Sequence, residues 1–556
     1  MIFYILQITL SVKIVGIDLG SQYIKAAENS LGSEPHLVQF GSSNQVPAAV
    51  AFSIPRDLVQ PFKEEQFKDI RVLFGNKAIR QLRKNASSGV EFLPKIIGRS
   101  ETEFLTTNIT SQYEMSLLFF LNLVKKFDTN TRFAISVPNF WTHEQRRVLN
   151  TFIEFCRIPL ISIVDDMSAV SVLYANTRTT RFTEKKMRIL FIDVGGTSVK
   201  SYGTLFRWAG NISYINHSSF SFNEDIGGYF FAKKIAECKG VSIKKGYKLL
   251  QNLKKEEIEK CLGKEINELK DVIAKAKNDA FNAYEVDNLT KEFDEIQLIG
   301  GASRYDFVLD AIKSVVGDAI IKRDFNANEA IAIGAVHAAA VMLGVSIYPP
   351  CQVIKRSFNN ITFKCGSEHL YCKENGIRCN YKIIENTTCD KVYFISDKKN
   401  IPKGVSNILS TYNLNIKNKQ ENGSLKFRMI EPLPIIGSSM YCVNNNCSLL
   451  DVTPDIKKPE NIEHVSRFIN LYLKEKRERK KLSRVRKQIF GLIDKIDLFL
   501  SKSNEQVSSD DNMMKIKFEN IQNLYEKGEL NKMSFDKLKE TLELLQQIDE
   551  KLSPKN

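Results

Sequence analysis

Three short glycine-containing phrases recur in order along this chain, and they constrain its fold more than any other feature. They read VGIDLGS, FIDVGGTS and IQLIGGASR, at residues 15–21, 191–198 and 296–304. In the first two, apolar residues predict a buried strand, and the glycines after the aspartate predict a tight turn with outward-facing backbone amides. Such amides bind phosphate oxygens. The repeat therefore predicts two similar lobes that hold one polyphosphate between them.

The aspartates of the first two phrases are candidate metal ligands. Asp18 and Asp193 each follow apolar strand residues, at the mouths of the predicted strands. Carboxylates in this position can hold a hydrated Mg²⁺ that bridges phosphate oxygens. One such phrase alone is typical of an ordinary β-turn, whereas three in order favour an α/β nucleotide-binding fold.

Four further passages carry a family resemblance. They are VPNFWTHEQRRVL, DDMSAVSVLYA, DIGGYFFAKKIAE and NANEAIAIGAVHAAA, at residues 137–149, 165–175, 225–237 and 326–340. With them, residues 13–343 resemble the actin-like ATPase superfamily, and within it the 70 kDa heat shock chaperones. A metabolic kinase of the same superfamily is the alternative, but kinases lack the VPNFW and GAVHAAA passages. The resemblance implies a two-lobed α/β domain, then a small β-rich domain, then a C-terminal helical region.

The resemblance also implies which residues bind ATP or ADP with Mg²⁺. The first lobe would contact phosphate through Gly20, Ser21, Gln22 and Tyr23. The second lobe would contact phosphate through Gly195, Gly196, Thr197 and Ser198. The ribose and adenine would meet Gly300, Gly301, Ala302 and Arg304. Asp18 and Asp193 would hold Mg²⁺ through water. Asp166 stands where the family has a carboxylate that helps to place the attacking water.

Two departures from the family pattern put hydrolysis in doubt. Lys95 precedes the IIGR passage, but the strict register places Pro94 where the family has its phosphoryl-stabilising lysine. Lys200 stands where the family has an aspartate. A cation there can neutralise phosphate but cannot bind a metal. ATP binding with weak or no ATPase activity is the expectation.

The outer part of the second lobe is short between residues 229 and 295, either in the protein itself or through a gap in the gene model. The passage LLQNLKKEEIEK, at residues 249–260, is a candidate remnant of the family's adenine-clamping helix, with Lys254 and Lys255 as candidates for that role. The alternative is a solvated charged helix. A shortened clamp predicts weakened nucleotide affinity.

Both ends of the chain and its cysteines bear on the compartment. Residues 1–11 are apolar and form a candidate signal peptide, with an extra β-strand as the alternative. Ten cysteines occur, and those crowded into the β-rich region are Cys351, Cys365, Cys372, Cys379, Cys389, Cys442 and Cys447. This crowding favours disulfides in an oxidising lumen, because zinc sites typically use C-x-x-C pairs and none occurs here. We expect the endoplasmic reticulum lumen, with the cytoplasm as the alternative, although no KDEL-like retrieval signal ends the chain.

Composition and helix-breaking prolines predict the domain order. A nucleotide-binding domain over residues 12–345, a cysteine-rich β-domain over 346–455 and a helical lid-like region over 456–556 are expected. The net charge is +15, and much of the excess lies at residues 474–487. A charged helix explains this stretch better than a nucleic-acid patch, because no aromatic residues alternate with the basic ones. No segment is apolar enough to predict a membrane span.

Among the heat shock chaperones, the chain resembles most the large glucose-regulated, hypoxia-up-regulated relatives of the endoplasmic reticulum. This implies a chaperone that assists folding as nucleotide-exchange factor and holdase for the main lumenal heat shock protein 70 chaperone. The expected partners are that chaperone and unfolded polypeptides. Two alternatives stay open: an interaction scaffold that binds no nucleotide, and a cytosolic stress chaperone of the same superfamily.

Overall fold

The computed structural model describes most of the chain. The residues described are 13–30, 33–54, 70–99, 112–317, 320–355, 361–365, 368–372, 382–384, 390–396, 401–416, 424–430, 435–443, 446–449, 452–454, 462–502 and 509–552. The candidate signal peptide therefore lies outside the described residues. The described part of the chain divides into two units. The first carries the sheets and includes residues 13–53 and 72–454, and the second includes residues 54, 70 and 71 together with the C-terminal helices from residue 462.

The first lobe is built on a mixed sheet. Its strands are β1 Lys13–Leu19, β2 Tyr23–Ser30, β3 His36–Leu37, β4 Gln45–Pro47, β5 Val50–Ser53, β6 Arg71–Phe74, β7 Gly89–Val90, β8 Thr131–Val137 and β9 Leu160–Asp165. Its helices are α1 Asn76–Leu82, α2 Gln112–Val124, α3 His143–Phe155 and α4 Asp166–Thr177. The main sheet has the order β3-β2-β1-β8-β9, with β1 antiparallel to β2 and parallel to β8. β1 is buried along almost its whole length, as the apolar run predicts.

The second lobe repeats this arrangement. Its strands are β10 Met187–Val194, β11 Val199–Ala209, β12 Ile212–His217, β13 Ser221–Asn223, β14 Glu295–Ile299 and β15 Ile321–Lys322, and its helices are α5 Gly228–Lys239, α6 Ile243–Leu249, α7 Lys255–Val286, α8 Asp306–Val316 and α9 Ala330–Met342. β10 pairs antiparallel with β11 and parallel with β14, as β1 does with β2 and β8. The two lobes therefore present equivalent strand ends to each other.

Helices α4 and α9 pack closely between the two sheets. Gly334 permits this approach, because a Cβ at that position would lie 2.3 Å from the backbone oxygen of Ala169. One apolar cluster includes Ala134 from the first sheet, Phe191 from the second and residues of both helices. Close packing of this kind fixes the relative position of the strand ends.

The outer part of the second lobe consists of α5, α6 and α7. The passage at residues 249–260 is not a single helix, because α6 ends at Leu249 and α7 begins at Lys255. Ile258, Leu262 and Leu269 of α7 are buried in the core of this lobe. A disulfide between Cys238 at the end of α5 and Cys261 in α7 closes the group. No local sequence pattern predicts this pair.

A β-rich region follows the two lobes. Its strands are β16 Cys351–Ile354, β17 Ile361–Cys365, β18 Glu368–Cys372, β19 Lys382–Ile384, β20 Lys391–Ser396, β21 Ile408–Leu414, β22 Ser424–Ile430, β23 Ile435–Val443, β24 Asn446–Leu449 and β25 Val452–Pro454. They form sheets of order β18-β17-β20-β21-β25 and β19-β22-β23-β24, except that β16 pairs with β12 and so extends the sheet of the second lobe. Cys365 and Cys442 each take part in a disulfide bond, and Cys351 is a free thiol.

The helical unit contains α10 Ile462–Lys502, α11 Ser509–Glu526 and α12 Phe535–Leu552. Ile489 and Ile493 of α10 pack with Phe518 of α11 and Leu545 of α12 in a core of its own. The basic stretch at residues 474–487 lies within α10, as the predicted charged helix requires. Among the residues that the structure describes, no helix is long and apolar enough to cross a membrane.

Candidate nucleotide-binding cleft

A cleft of about 270 Å³ lies between the two lobes, where the three glycine phrases meet. The predicted residues that line it are Asp18, Gly20, Ser21, Gln22, Tyr23, Asp166, Asp193, Gly195, Gly196, Ser198, Gly300, Gly301 and Ala302. The equivalent ends of β1 and β10 bring the first two phrases face to face, and the parallel partner β14 adds the third. Segments that are far apart in sequence thus form one site.

Glycines keep side chains out of this cleft. Gly300 has a φ of 78°, and a Cβ there would lie 2.4 Å from Asp193 Oδ1. A Cβ at Gly196 would lie 2.5 Å from the Gln22 side-chain oxygen. The backbone amide of Gly195 donates to the Ser198 carbonyl at 2.9 Å within the turn and so does not face the cleft as a donor. Glycine at these positions therefore lets Asp193 and Gln22 approach the turns closely and leaves the backbone of the turns facing the cleft.

Each cleft aspartate faces a lysine on the neighbouring strand. In the antiparallel pair β1–β2, Asp18 lies directly opposite Lys25, whose Nζ is 2.8 Å from Asp18 Oδ2. In the pair β10–β11, Asp193 lies directly opposite Lys200, whose Nζ is 2.7 Å from Asp193 Oδ2. The strand register of each lobe therefore pairs its aspartate with a cation.

Asp166 is held on several sides at the start of α4. Its Oδ1 accepts from the backbone amides of Asn139 at 3.0 Å and of Met167 at 2.8 Å. Its Oδ2 accepts from Lys200 Nζ at 2.5 Å. Burial alone would lower the pKa of Lys200, but the carboxylates of Asp166 and Asp193 outweigh it and raise that pKa above its usual range. Lys200 is therefore a permanent cation between two carboxylates.

Besides the contact of Lys200 with Asp166, two further side-chain contacts join the lobes beside the glycine turns. The Ser21 and Thr197 hydroxyls are hydrogen-bonded to each other. Gln22 Nε2 donates to the Tyr247 hydroxyl at 2.9 Å. Thr197 is fully buried and meets Ser21 rather than lining the open space. These contacts narrow the cleft near the first two glycine phrases.

Comparisons with known proteins agree with this architecture. The sequence profile of the family described as Hsp70 protein matches residues 232–349. Hypoxia up-regulated protein 1 of Xenopus laevis is 21% identical over 411 residues, 60% of this chain and 61% of the relative. The protein of the same name from Danio rerio is 22% identical over 410 residues, 60% of this chain and 40% of the relative. Heat shock protein 110 of Caenorhabditis elegans is 24% identical over 249 residues, 38% of this chain and 31% of the relative.

The chain is similar to proteins of the heat shock protein 70 superfamily. It resembles the large members of that superfamily, those named hypoxia up-regulated protein 1 and heat shock protein 110. The chain spans less than two thirds of the length of these relatives. The profile match runs from α5 to the segment before β16, and so includes the third glycine phrase and α9.

Lys95, a candidate catalytic residue from the superfamily pattern, lies away from the cleft. Its Nζ donates to the Glu224 carbonyl at 2.5 Å and lies 3.5 Å from the carboxylate of the same residue. Arg99 forms a 2.5 Å ion pair with Glu224, and the Lys403 amide also donates to that carboxylate at 2.6 Å. Burial lowers the pKa of Lys95, although Glu224 opposes this shift. The structure thus gives Lys95 a partner outside the cleft.

The third glycine phrase lines the cleft with Gly300, Gly301 and Ala302 but not with Arg304. The exposed Arg304 donates to Asn326 Oδ1 at 3.3 Å and is not among the residues that line the cleft. Lys254 and Lys255 are not among them either, and Lys255 lies 3.6 Å from Asp310.

The polar and aromatic side chains that line the cleft and that were not predicted from the sequence are Lys25, Gln45, Ser136, Tyr247, Tyr305 and Asn328. Tyr305 directly follows the third phrase, so its position alone could have suggested it. Tyr247 stands in α6 with no motif around it, and only the packing of the shortened lobe brings it to the cleft. The two tyrosines place aromatic rings on the wall that the second lobe contributes.

The carboxylates of this cleft do not fit a hydrated Mg²⁺. Mg²⁺ requires octahedral oxygen ligands and keeps several waters, so it needs carboxylates with free lone pairs and room around them. Here an ammonium group lies within 2.8 Å of Asp18 and another within 2.7 Å of Asp193. Among the described residues, no group of three His, Cys, Asp or Glu side chains is placed to hold a metal ion. The glycine cradle fits a nucleotide, whereas the acidic residues do not fit its usual metal.

Proposed function

We propose that the chain is a chaperone that binds adenine nucleotide in the interlobe cleft with little or no hydrolysis. It serves as nucleotide-exchange factor and holdase for the main heat shock protein 70 chaperone of the endoplasmic reticulum lumen. The observation that carries the proposal is the meeting of all three glycine phrases at one cleft between two equivalent lobes. A ligand that touches both lobes can hold them in one relative position, which a partner can recognise.

Weak hydrolysis follows from the partners of the residues expected to act. Lys95 is engaged by Glu224 and supplies no charge to a transferred phosphoryl group. Both oxygens of Asp166 already accept hydrogen bonds, so this carboxylate is poorly placed to take a proton from water. Binding energy is then available for holding the lobes rather than for turnover.

The disulfide-bonded cysteines support a lumenal location. Cys238 and Cys261 are bonded to each other, and Cys365 and Cys442 in the β-rich region each take part in a disulfide bond. Disulfides persist in oxidising compartments and are rare in the cytosol. The resemblance to the large chaperones of the endoplasmic reticulum supports the same location. The β-rich region and the helical unit follow the nucleotide-binding lobes in the order expected for client binding.

The test measures release of labelled ADP from a purified lumenal heat shock protein 70 chaperone. The chain is loaded with ATP, freed of excess nucleotide and added during a chase with unlabelled ADP. We expect faster release with the ATP-loaded chain than with the nucleotide-free chain. Gly196→Val, which fills the cleft, should abolish that difference. The matched control Gly263→Val should keep it, because a Cβ at Gly263 on α7 meets nothing within 4 Å.

A second candidate is an interaction scaffold that binds no nucleotide. The contacts that favour it are Ser21 with Thr197 and Gln22 with Tyr247, which already join the lobes without a ligand. A scaffold of this kind would stimulate release equally with and without ATP, and Gly196→Val would then have no specific effect.

A further inference from the structure

The two lobes carry equivalent aspartate–lysine pairs, which the proposed function does not explain. Asp18 pairs with Lys25 across the β1–β2 ladder, and Asp193 pairs with Lys200 across the β10–β11 ladder. The spacing in sequence is the same in both lobes. An equivalent lysine thus follows the glycine turn of each lobe and points back at the aspartate before that turn.

The lysines are built into the cleft rather than lying at its rim. The side chain of Lys200 is 8% exposed and that of Lys25 is 16% exposed. Lys200 Nζ lies 2.5 Å from Asp166 and 2.7 Å from Asp193, and so bridges the two lobes' carboxylates. Both lysines line the same cleft as the glycine turns. A buried cation between two carboxylates stays charged and holds a fixed position.

The charge that these lysines supply equals that of one divalent cation. An ammonium group has three N–H donors, and Lys200 donates two of them to Asp166 and Asp193. The third can reach a phosphate oxygen beside the glycine turns. The two lysines offset two of the three cleft carboxylates, Asp18, Asp166 and Asp193, which would otherwise repel a polyphosphate, and this reduces the need for a metal ion.

We propose that this cleft binds a nucleoside di- or triphosphate without a divalent cation, with Lys25 and Lys200 in the place of the metal. The inference rests on the proposed nucleotide binding and adds the identity of the counter-charge. It predicts a nucleotide affinity that is insensitive to chelation. It also predicts that one lysine-to-carboxylate exchange restores a need for the metal.

The experiment titrates the full chain with fluorescently labelled ADP, in excess EDTA and separately in millimolar Mg²⁺. We expect dissociation constants that agree within about twofold. A loss of about tenfold or more in affinity on adding EDTA would overturn the metal-free site while leaving nucleotide binding intact. Absence of binding in both conditions would overturn the proposed function and this inference together.

Variants separate the role of the lysine from general charge. Lys200→Asp should weaken binding in EDTA by about tenfold or more and recover with Mg²⁺. The control Lys275→Asp makes the same charge change at an exposed position on α7 and should leave both titrations unchanged. If Lys200→Asp binds as tightly as the natural chain in EDTA, the lysine is not the counter-charge. The comparison of the natural chain in the two buffers stands even if this variant fails to fold.

Discussion

Lys200 shows how a single residue changes what a phosphate cleft can hold. Its sequence position alone indicates that no metal ligand stands there. The structure adds that its ammonium lies against Asp166 and Asp193, and that Lys25 repeats the arrangement in the other lobe. The second lysine could not be predicted from the sequence, because its role depends on the strand register that places it opposite Asp18.

Glu224 is a second residue on which local structure depends. It is buried, and its carboxylate accepts from Arg99 Nη1 at 3.2 Å, from Arg99 Nη2 at 2.5 Å and from the Lys403 amide at 2.6 Å. Glu224→Gln removes the charge and leaves Arg99 and Lys95 buried beside a neutral group. We expect a loss of about 3 kcal/mol in the free energy of unfolding, measured by denaturant titration.

The matched control for this prediction is Glu237→Gln. Glu237 is half exposed and forms a 3.0 Å pair with Lys234 one helical turn away. Its loss should cost about 0.5 kcal/mol or less, since exposed pairs contribute little. Equal losses in the two variants would contradict the structural role assigned to Glu224.

Buried histidines predict a pH dependence of stability. Burial lowers the pKa of His337 to about 4 and that of His217 to about 4. Their pKa in the unfolded chain is about 6.5, so between these values the unfolded state binds more protons than the folded state. The stability contributed by the neutral histidines is therefore full above pH 6.5 and is lost as the pH falls toward 4.

The measurement is thermal or denaturant unfolding across this pH range. In His337→Gln the free energy of unfolding should fall less steeply on acidification. The difference in slope between pH 6.5 and 4 should be about 1.4 kcal/mol per pH unit. His36→Gln serves as the control, because His36 is largely exposed. A slope unchanged by His337→Gln would mean that this histidine is not held neutral by burial.

Among the elements, the disulfide between α5 and α7 stabilises the shortened part of the second lobe. Cys238 and Cys261 are separated by 23 residues. Closing a loop of this length stabilises a fold by about 3 kcal/mol, chiefly by restricting the unfolded chain. Cys238→Ser should therefore lower the free energy of unfolding by a similar amount, measured under non-reducing conditions.

Cys156→Ser is the control for this prediction, because Cys156 is a free thiol outside the disulfide. Mass spectrometry of peptides from the natural chain should find Cys238 linked to Cys261. Free thiols at both positions in protein purified from an oxidising compartment would contradict the disulfide.

The elements also show what the sequence can and cannot predict. Within residues 346–455, where a β-rich domain was expected, the structure has strands such as Ile361–Cys365, Lys391–Ser396 and Ser424–Ile430, because short apolar runs specify strands locally. The Cys238–Cys261 pair was not predicted, since it depends on how two helices pack rather than on a local pattern. β16 was expected in the β-rich domain but pairs with β12. The sequence of β16 alone does not specify this long-range strand pairing.

At the scale of the whole molecule, the three glycine phrases locate the cleft, while side-chain partners decide its chemistry. Most of the residues that the family resemblance implies do line the cleft. Lys95 and Arg304 do not, because each has a partner elsewhere, in Glu224 and in Asn326. The family pattern thus predicts which residues line the cleft better than it predicts which side chains are placed to act there.

The central claim, that the interlobe cleft binds adenine nucleotide, is tested most directly by calorimetric titration of the full chain with ATP. We predict one site that saturates below about 1 mM ATP, lost in Gly196→Val and kept in Gly263→Val. No heat of binding up to millimolar ATP, with or without Mg²⁺, would contradict the claim and leave the nucleotide-free scaffold.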